Sequence, residues 1–193
     1  MDPMIFFLFR RRVRLDTISI VYGTIVAQAR SPCFYREYGV PDTVNGRFDL
    51  LVLHLALVLD RLADEPQLRE LGQALFDHFC TDMDRNLREM GVGDLSVPKQ
   101  MQRVGEAFYG RAQAYRAGLA RDGEQALAEA LERNIYGQDA ASRAAAARLA
   151  AYMRGTAGEL RVQPASQILA GQLTMPDPAA TVLVEDEASG TKD

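Results

Sequence analysis

Apolar residues recur along this chain at intervals of three and four residues from about residue 15 to residue 170. That spacing places them on one face of an α-helix, segment after segment. Pro66, Pro98 and Pro164 stand where helices would begin, a position at which proline loses no hydrogen bond. No strand alternation, hairpin signal or internal repeat interrupts the pattern. The sequence therefore predicts an all-α fold, a single compact domain of about six to seven helices.

The apolar stripes also set the bounds of the expected helices. Seven are predicted, over residues 15–29, 48–62, 66–90, 97–119, 124–136, 139–154 and 164–170. The second is apolar on most sides, so it should lie at the centre of the domain. Gly91 is expected to end the third in a left-handed conformation, Ser96 and Asp139 to cap the fourth and sixth, and the last to dock through Ile168 and Leu169. Residues 31–45 are predicted to form a loop.

The two ends of the chain differ from the body. Residues 1–14 form a predicted N-terminal arm, residues 15–173 the all-α domain, and residues 174–193 an acidic tail without periodicity that we expect to be disordered. The arm runs from aromatic to basic, through Phe6, Phe7, Phe9, Arg10, Arg11, Arg12 and Arg14. This order is the reverse of a secretory signal. The arm is either a segment packed on the body or an anchor whose arginines face anionic lipid.

Composition and charge narrow the class of protein. Of 193 residues, 48% are hydrophobic and 25% charged, which excludes a wholly disordered chain. The net charge of −4 argues against a general nucleic-acid binder, which would carry a basic surplus. Only Cys33 and Cys80 are present, so a reducing compartment is expected. The longest apolar run, residues 50–59, is too short to span a membrane.

Candidate catalytic or metal chemistry is sparse. The chain has two histidines and two cysteines, and a structural zinc site would need all four to converge. We therefore predict no metal, no cofactor and no catalytic residues. His54 lies in the most apolar helix and is expected to be either a hydrogen-bonded core histidine or a partly exposed one.

One acidic pattern leaves an alternative open. Asp60 and Asp64 lie one helical turn apart, and Asp82 begins a looser second pattern that lacks one carboxylate. All-helical prenyl-transferring enzymes hold magnesium and diphosphate between two such patterns. The same residue types also form ordinary ion pairs at i, i+4, as Asp84 and Arg88 would. An isoprenoid-binding enzyme is therefore an alternative to a solvated helix face.

Two segments together resemble a known family. Residues 34–54 read FYREYGVPDTVNGRFDLLVLH. The second segment contains LFDHF from residue 75, DMDRNLREMGVGD from residue 82, VPKQM from residue 97 and AFYGR from residue 107. In order and spacing they resemble the ubiquinol–cytochrome c chaperone family, over about residues 17–155.

The resemblance implies a function and a partner. Mitochondrial members of that family assist assembly of complex III by binding newly made cytochrome b. We therefore expect a non-enzymatic assembly chaperone with a cytochrome b client, peripheral to the cytoplasmic face of the membrane. A lipid-surface adaptor is the other alternative, and the oligomeric state is left open.

A client surface is predicted where the third and fourth helices meet. Charged residues should form a polar rim around two aromatics, and the set is Asp77, Asp84, Arg88, Lys99, Arg103, Phe108, Tyr109 and Arg111. Aromatic and arginine side chains usually carry the energy of such contacts. The alternative is a solvated surface with weak ion pairs.

Overall fold

A computed structural model describes residues 3–121, 125–137 and 142–180, with side chains from residue 15 onward. Within these residues there are helices and no β-strand, which confirms the predicted all-α class. The helices are α1 (Pro3–Ala29), α2 (Pro32–Arg36), α3 (Val44–Ala63), α4 (Arg69–Glu89), α5 (Val97–Leu119), α6 (Gln125–Leu131), α7 (Ser142–Val162) and α8 (Ala165–Leu169). A 3-10 turn over Pro66–Leu68 leads into α4, and a π-helical turn over Glu132–Tyr136 follows α6.

Helix α3 is the central helix, as its apolar sequence predicts. It packs against α1, α4, α5 and α7. Leu50, Leu53, Leu55 and Leu62 on different sides of it are all fully buried. A helix that is apolar on most sides must be covered by other helices on most sides, so the other helices pack around α3.

Turn residues fix the ends of α4 and α5. Gly91 has φ +84° and so ends α4 in the predicted left-handed conformation. The Val92 N–H donates to the Leu87 carbonyl over 3.0 Å, which closes the helix end. The prediction for Ser96 is wrong, because its side chain makes no capping hydrogen bond. Its backbone is already helical, and the Val97 N–H donates instead to the Gly93 carbonyl over 3.2 Å.

Three predicted bounds differ from the structure. The loop over residues 31–45 contains α2, which Pro32 begins and the buried Phe34 holds against the core. Helix α7 continues eight residues beyond residue 154 to Val162, since Thr156 and Leu160 are buried on its inner face. Helix α1 begins at Pro3 rather than at residue 15. The predicted Asp139 cap lies outside the described residues.

The C-terminal segment lies alongside α1. Ile168 of α8 is buried as predicted, whereas Leu169 is 41% exposed and does not dock. The Gln28 amide donates to the Pro176 carbonyl over 2.6 Å, and the Tyr38 hydroxyl donates to the Pro178 carbonyl over 2.8 Å. Contacts with the body thus extend beyond residue 173, where the sequence places the end of the domain. Residues 181–193 lie outside the described part of the chain.

Candidate functional site

Helices α3, α4 and α5 pack together around a cluster of aromatic rings. Helices α4 and α5 are joined by the short turn over residues 90–96 and pack against each other and against α3. The rings of Phe76 and Phe108 lie 5.1 Å apart, and those of Phe79 and Phe108 lie 5.6 Å apart. These rings fill the middle of the three-helix unit and leave one groove toward each end of it.

The larger groove has a volume of about 630 Å³. It lies between the C-terminal parts of α1 and α4 and the N-terminal parts of α3 and α5, and we call it the methionine groove. Its apolar floor consists of half-buried side chains, among them Val26, Phe48, Leu51, Met83, Leu87 and Val104. Met90 is 66% exposed at its edge. Apolar side chains from four helices therefore meet at one surface without being covered, as at sites of interaction.

The rim of the methionine groove is polar and carries both signs of charge. Arg30 and Arg103 line it and have no acidic partner within the described residues. Asp82 and Glu89 also line it, but both lie beside Arg85, which is paired with Asp82 and is 3.9 Å from the Glu89 carboxylate. Arg85 thus lies beside both acidic groups of the rim, whereas Arg30 and Arg103 have no acidic group beside them.

The smaller groove has a volume of about 450 Å³ and lies at the other end of the same three helices. We call it the tyrosine groove, because Tyr109 lines it and is 62% exposed. Much of its floor is formed by buried core side chains such as Leu57, Leu62 and Tyr115. It therefore offers less uncovered apolar surface than the methionine groove.

The predicted client-surface residues are divided between several places. Five of them are exposed, namely Asp77, Arg88, Lys99, Arg103 and Tyr109. Arg88 donates to the half-buried Asp84 over 2.7 Å and also pairs with Asp94. Of the whole set only Arg103 lines the methionine groove, and only Phe108 and Tyr109 line the tyrosine groove. The structure thus joins Asp84 and Arg88 in an ion pair but does not gather the set into one site.

Two members of that set lie away from the predicted surface cluster. Phe108 is only 3% exposed and belongs to the aromatic core instead of a surface cluster. Arg111 points toward α3, where its guanidinium lies 2.8 Å from the carboxylate of the buried Asp49 and above the Phe48 ring. Burial raises the pKa of Asp49, and the nearby guanidinium of Arg111 opposes that shift. Residues 104, 108, 111 and 115 share the inner side of α5 because of the helical period.

The floor of the methionine groove could not be recognised from the sequence. Met83 and Leu87 belong to the apolar stripe of the third predicted helix, and Val104 to that of the fourth. Periodicity identifies such residues as facing inward but does not tell a filled core from a groove. Nothing in the sequence marks Arg30 as a binding residue, since an arginine at the end of a helix is ordinarily solvated.

The acidic pattern is occupied by ion pairs. Asp60 accepts from the Arg116 guanidinium over 2.5 Å, and Asp82 accepts from the Tyr22 hydroxyl over 2.9 Å. Asp64 follows the last turn of α3. Among the described residues, no three His, Cys, Asp or Glu side chains come together as ligands for a metal ion. Both contacts join neighbouring helices, α3 with α5 and α4 with α1, so Asp60 and Asp82 contribute to helix packing.

The predicted membrane contacts fall on the first half of α1. The backbone of α1 is helical from Pro3 onward. The side chains of Phe6, Phe7, Phe9, Arg10, Arg11, Arg12 and Arg14 lie outside the described part of the chain. Over residues 3–121, 125–137 and 142–180, no helix is both long enough and apolar enough to cross a membrane.

Comparison with a protein family and with a solved structure identifies similar chains. The family model described as ubiquinol-cytochrome C chaperone matches residues 36–175, which include α3 through α8. The crystal structure of the Cbp3 homolog from Brucella abortus is similar to this fold, with a TM-score of 0.80 and 39% sequence identity. That match covers 91% of this chain and 98% of the Brucella abortus chain.

Similar full-length proteins come from animals. The ubiquinol-cytochrome c reductase complex assembly factor 1 of Drosophila melanogaster is 26% identical over 165 residues, which are 82% of this chain and 63% of that protein. The assembly factor 1 of Mus musculus is 28% identical over 119 residues, 61% of this chain and 40% of that protein. The chain therefore spans less than two thirds of the length of these relatives.

Proposed function

The chain belongs to the ubiquinol–cytochrome c chaperone family, and from that premise we propose that it is an assembly chaperone for the ubiquinol–cytochrome c reductase complex. The observation that carries the proposal is the family match over residues 36–175, because these residues supply most of both grooves. The animal relatives are named as assembly factors of the same complex. The chain acts by binding and performs no catalytic step.

We further propose that the client is the newly made cytochrome b subunit. A membrane subunit exposes apolar helix ends and loops before it joins its partners, and such segments associate wrongly when they stay uncovered. The uncovered apolar floor between α1, α3, α4 and α5 supports transient binding of a client of this kind. Release follows when the client folds into the complex and buries the same surface.

Crosslinking the chain to its client in membranes tests this proposal. Affinity capture of the tagged full-length chain after crosslinking should recover the cytochrome b subunit, and deletion of the chain should lower the yield of assembled reductase complex. An unrelated tagged helical protein of the same cell provides the control for non-specific capture. Recovery of other membrane proteins at the same level, with a normal yield of the complex after deletion, would contradict the proposed function.

We also propose that the N-terminal arm binds the anionic inner surface of the membrane. Replacing Arg10, Arg11, Arg12 and Arg14 with serine should weaken binding to anionic vesicles at least tenfold, because each arginine near such a surface contributes about 1 kcal/mol. Vesicle co-sedimentation measures the effect.

The matched control removes the same number of arginines elsewhere. Exposed arginines distributed over the body are replaced with serine, namely Arg69, Arg121, Arg143 and Arg161. Equal loss of vesicle binding in both variants would mean that net charge alone determines binding. Vesicle binding by the arm without any capture of a client would instead favour the lipid-surface adaptor.

A further inference from the structure

Resting on the proposed function, we propose that the methionine groove receives an apolar client helix that carries a carboxylate, and that Arg30 and Arg103 bind this carboxylate. The groove is large enough for a row of side chains from one helix. Its shape as an open apolar channel between helices corresponds to the way in which amphipathic helices are commonly bound. Because two arginines of the rim have no acidic partner, the occupant should also carry a negative charge.

The floor of the groove is suited to apolar segments of differing sequence. Met83 and Met90 stand at the α4 side, opposite Phe48 and Leu51 of α3. Methionine is unbranched and polarisable, so it adapts to side chains of different shape. Surfaces that bind several apolar partners often use methionine in this way. A client with more than one exposed helix could therefore use the same groove.

The uncompensated charge of the rim specifies the chemistry of the occupant. Arg30 stands just beyond the C-terminal end of α1, and Arg103 projects from α5. The third arginine of the rim, Arg47, already donates to Asp42 over 2.8 Å. An arginine binds a carboxylate through parallel hydrogen bonds, a stronger contact than one between neutral groups. A client helix with aspartate or glutamate beside its apolar face therefore complements the groove, whereas one with lysine at the same place is repelled.

Two side-chain amides favour a polypeptide over a lipid as the occupant. Asn45 and Asn86 line the groove, and neither side chain makes a hydrogen bond within the described residues. An amide both donates and accepts, so it can bind the free N–H or C=O groups at the end of a client helix. A lipid acyl chain offers neither a donor nor an acceptor to these amides.

Two synthetic peptides test the assignment with the purified full-length chain. Both are labelled leucine- and alanine-rich helices, and they differ only in one position that is glutamate in one peptide and lysine in the other. We expect the wild-type chain to bind the glutamate peptide about tenfold more tightly, since a hydrogen-bonded charge pair is worth about that factor. Arg30→Glu combined with Arg103→Glu should reverse the preference. Fluorescence anisotropy measures the affinities, and circular dichroism verifies that each variant is folded.

The control has the same change of charge outside both grooves. Arg121→Glu combined with Arg161→Glu alters two exposed cations that line neither groove, and it should keep the preference for glutamate. Equal affinity of the wild-type chain for the two peptides would overturn the proposal. So would displacement of the glutamate peptide from the wild-type chain by a short-chain anionic phospholipid, at a concentration at which the zwitterionic phospholipid of the same chain length displaces none, because the groove would then be a lipid site.

Capture of cytochrome b from membranes separates this inference from the proposed function. If the wild-type chain captures the subunit and the Arg30→Glu, Arg103→Glu variant captures it equally well, the groove assignment fails and the proposed function stands. If the wild-type chain captures none, the proposed function fails. Loss of capture in the Arg30→Glu, Arg103→Glu variant, with normal capture in the Arg121→Glu, Arg161→Glu control, supports both.

Discussion

Replacing Gly46 with alanine should lower the free energy of unfolding by about 3 kcal/mol, the upper range for inserting a group into a packed site. An added Cβ atom would lie 2.0 Å from the carbonyl oxygen of Pro41. That oxygen is held in place, because it accepts from the Thr43 N–H over 2.8 Å. The Thr43 hydroxyl in turn accepts from the Gly46 N–H over 3.1 Å and caps α3. Relieving the clash therefore requires the turn before α3 to move, which breaks the hydrogen bond that caps the central helix.

Chemical unfolding in urea measures this loss, with Gly105→Ala as the matched control. Gly105 is also helical, in α5, and an added Cβ atom there meets nothing within 4 Å. Alanine is favoured over glycine within helices by about 1 kcal/mol, so the control should be as stable as the wild type or more stable. Equal unfolding midpoints for Gly46→Ala and the wild type would show that the turn before α3 can move aside.

The helical architecture was predictable because each helix depends mainly on its own sequence. The apolar period located α3, α4 and α5 to within a few residues, and the left-handed Gly91 ended α4 as expected. The ion pair between Asp84 and Arg88 was also predictable, since helical geometry alone brings i and i+4 together. Features that arise within one helix can be derived from the sequence of that helix.

Features that arise between helices could not be derived in this way. Arg111 reads as an exposed charge of α5, and only the packing of α5 on α3 shows that Asp49 is its partner. The apolar stripe placed Phe108 on the inner side of α5, but only the packing of the helices shows that it contacts the rings of Phe76 and Phe79. The methionine groove needs the relative positions of four helices, so no single stripe indicated it. The arrangement of the candidate site therefore depends on tertiary structure.

His54 illustrates how a polar residue of the core is satisfied. It is fully buried in α3, and its Nδ1 donates to the Leu50 carbonyl over 2.7 Å, as only a donor can bind a carbonyl. Its Nε2 then accepts from the Tyr152 hydroxyl over 3.0 Å. The Gln28 amide donates to the same hydroxyl over 2.8 Å. The neutral imidazole thus has both hydrogen bonds made, so of the two predicted settings His54 has the buried, hydrogen-bonded one.

Acidification should destabilise the fold through this residue. Burial lowers the pKa of His54 from 6.5 to about 4, although the hydrogen bond to the Leu50 carbonyl opposes the shift. The unfolded chain therefore takes up a proton at a higher pH than the folded chain does. Stability from the neutral imidazole is complete above pH 6.5 and is lost as the pH falls toward 4, by about 3 kcal/mol in total. Urea unfolding at a series of pH values measures the loss.

Comparison with His54→Gln separates this loss from that caused by carboxylates, which also take up protons in acid. Glutamine can keep a hydrogen bond to Tyr152 but does not titrate, so the variant should lose about 3 kcal/mol less than the wild type between pH 7 and pH 4. His78→Gln is the matched control for the substitution itself, since His78 is the other histidine of the chain and packs against the Tyr22 ring at the surface of α4. Parallel stability curves for the wild type and His54→Gln would contradict the prediction. They would mean that the core opens to solvent around the imidazole before the remainder of the fold is lost.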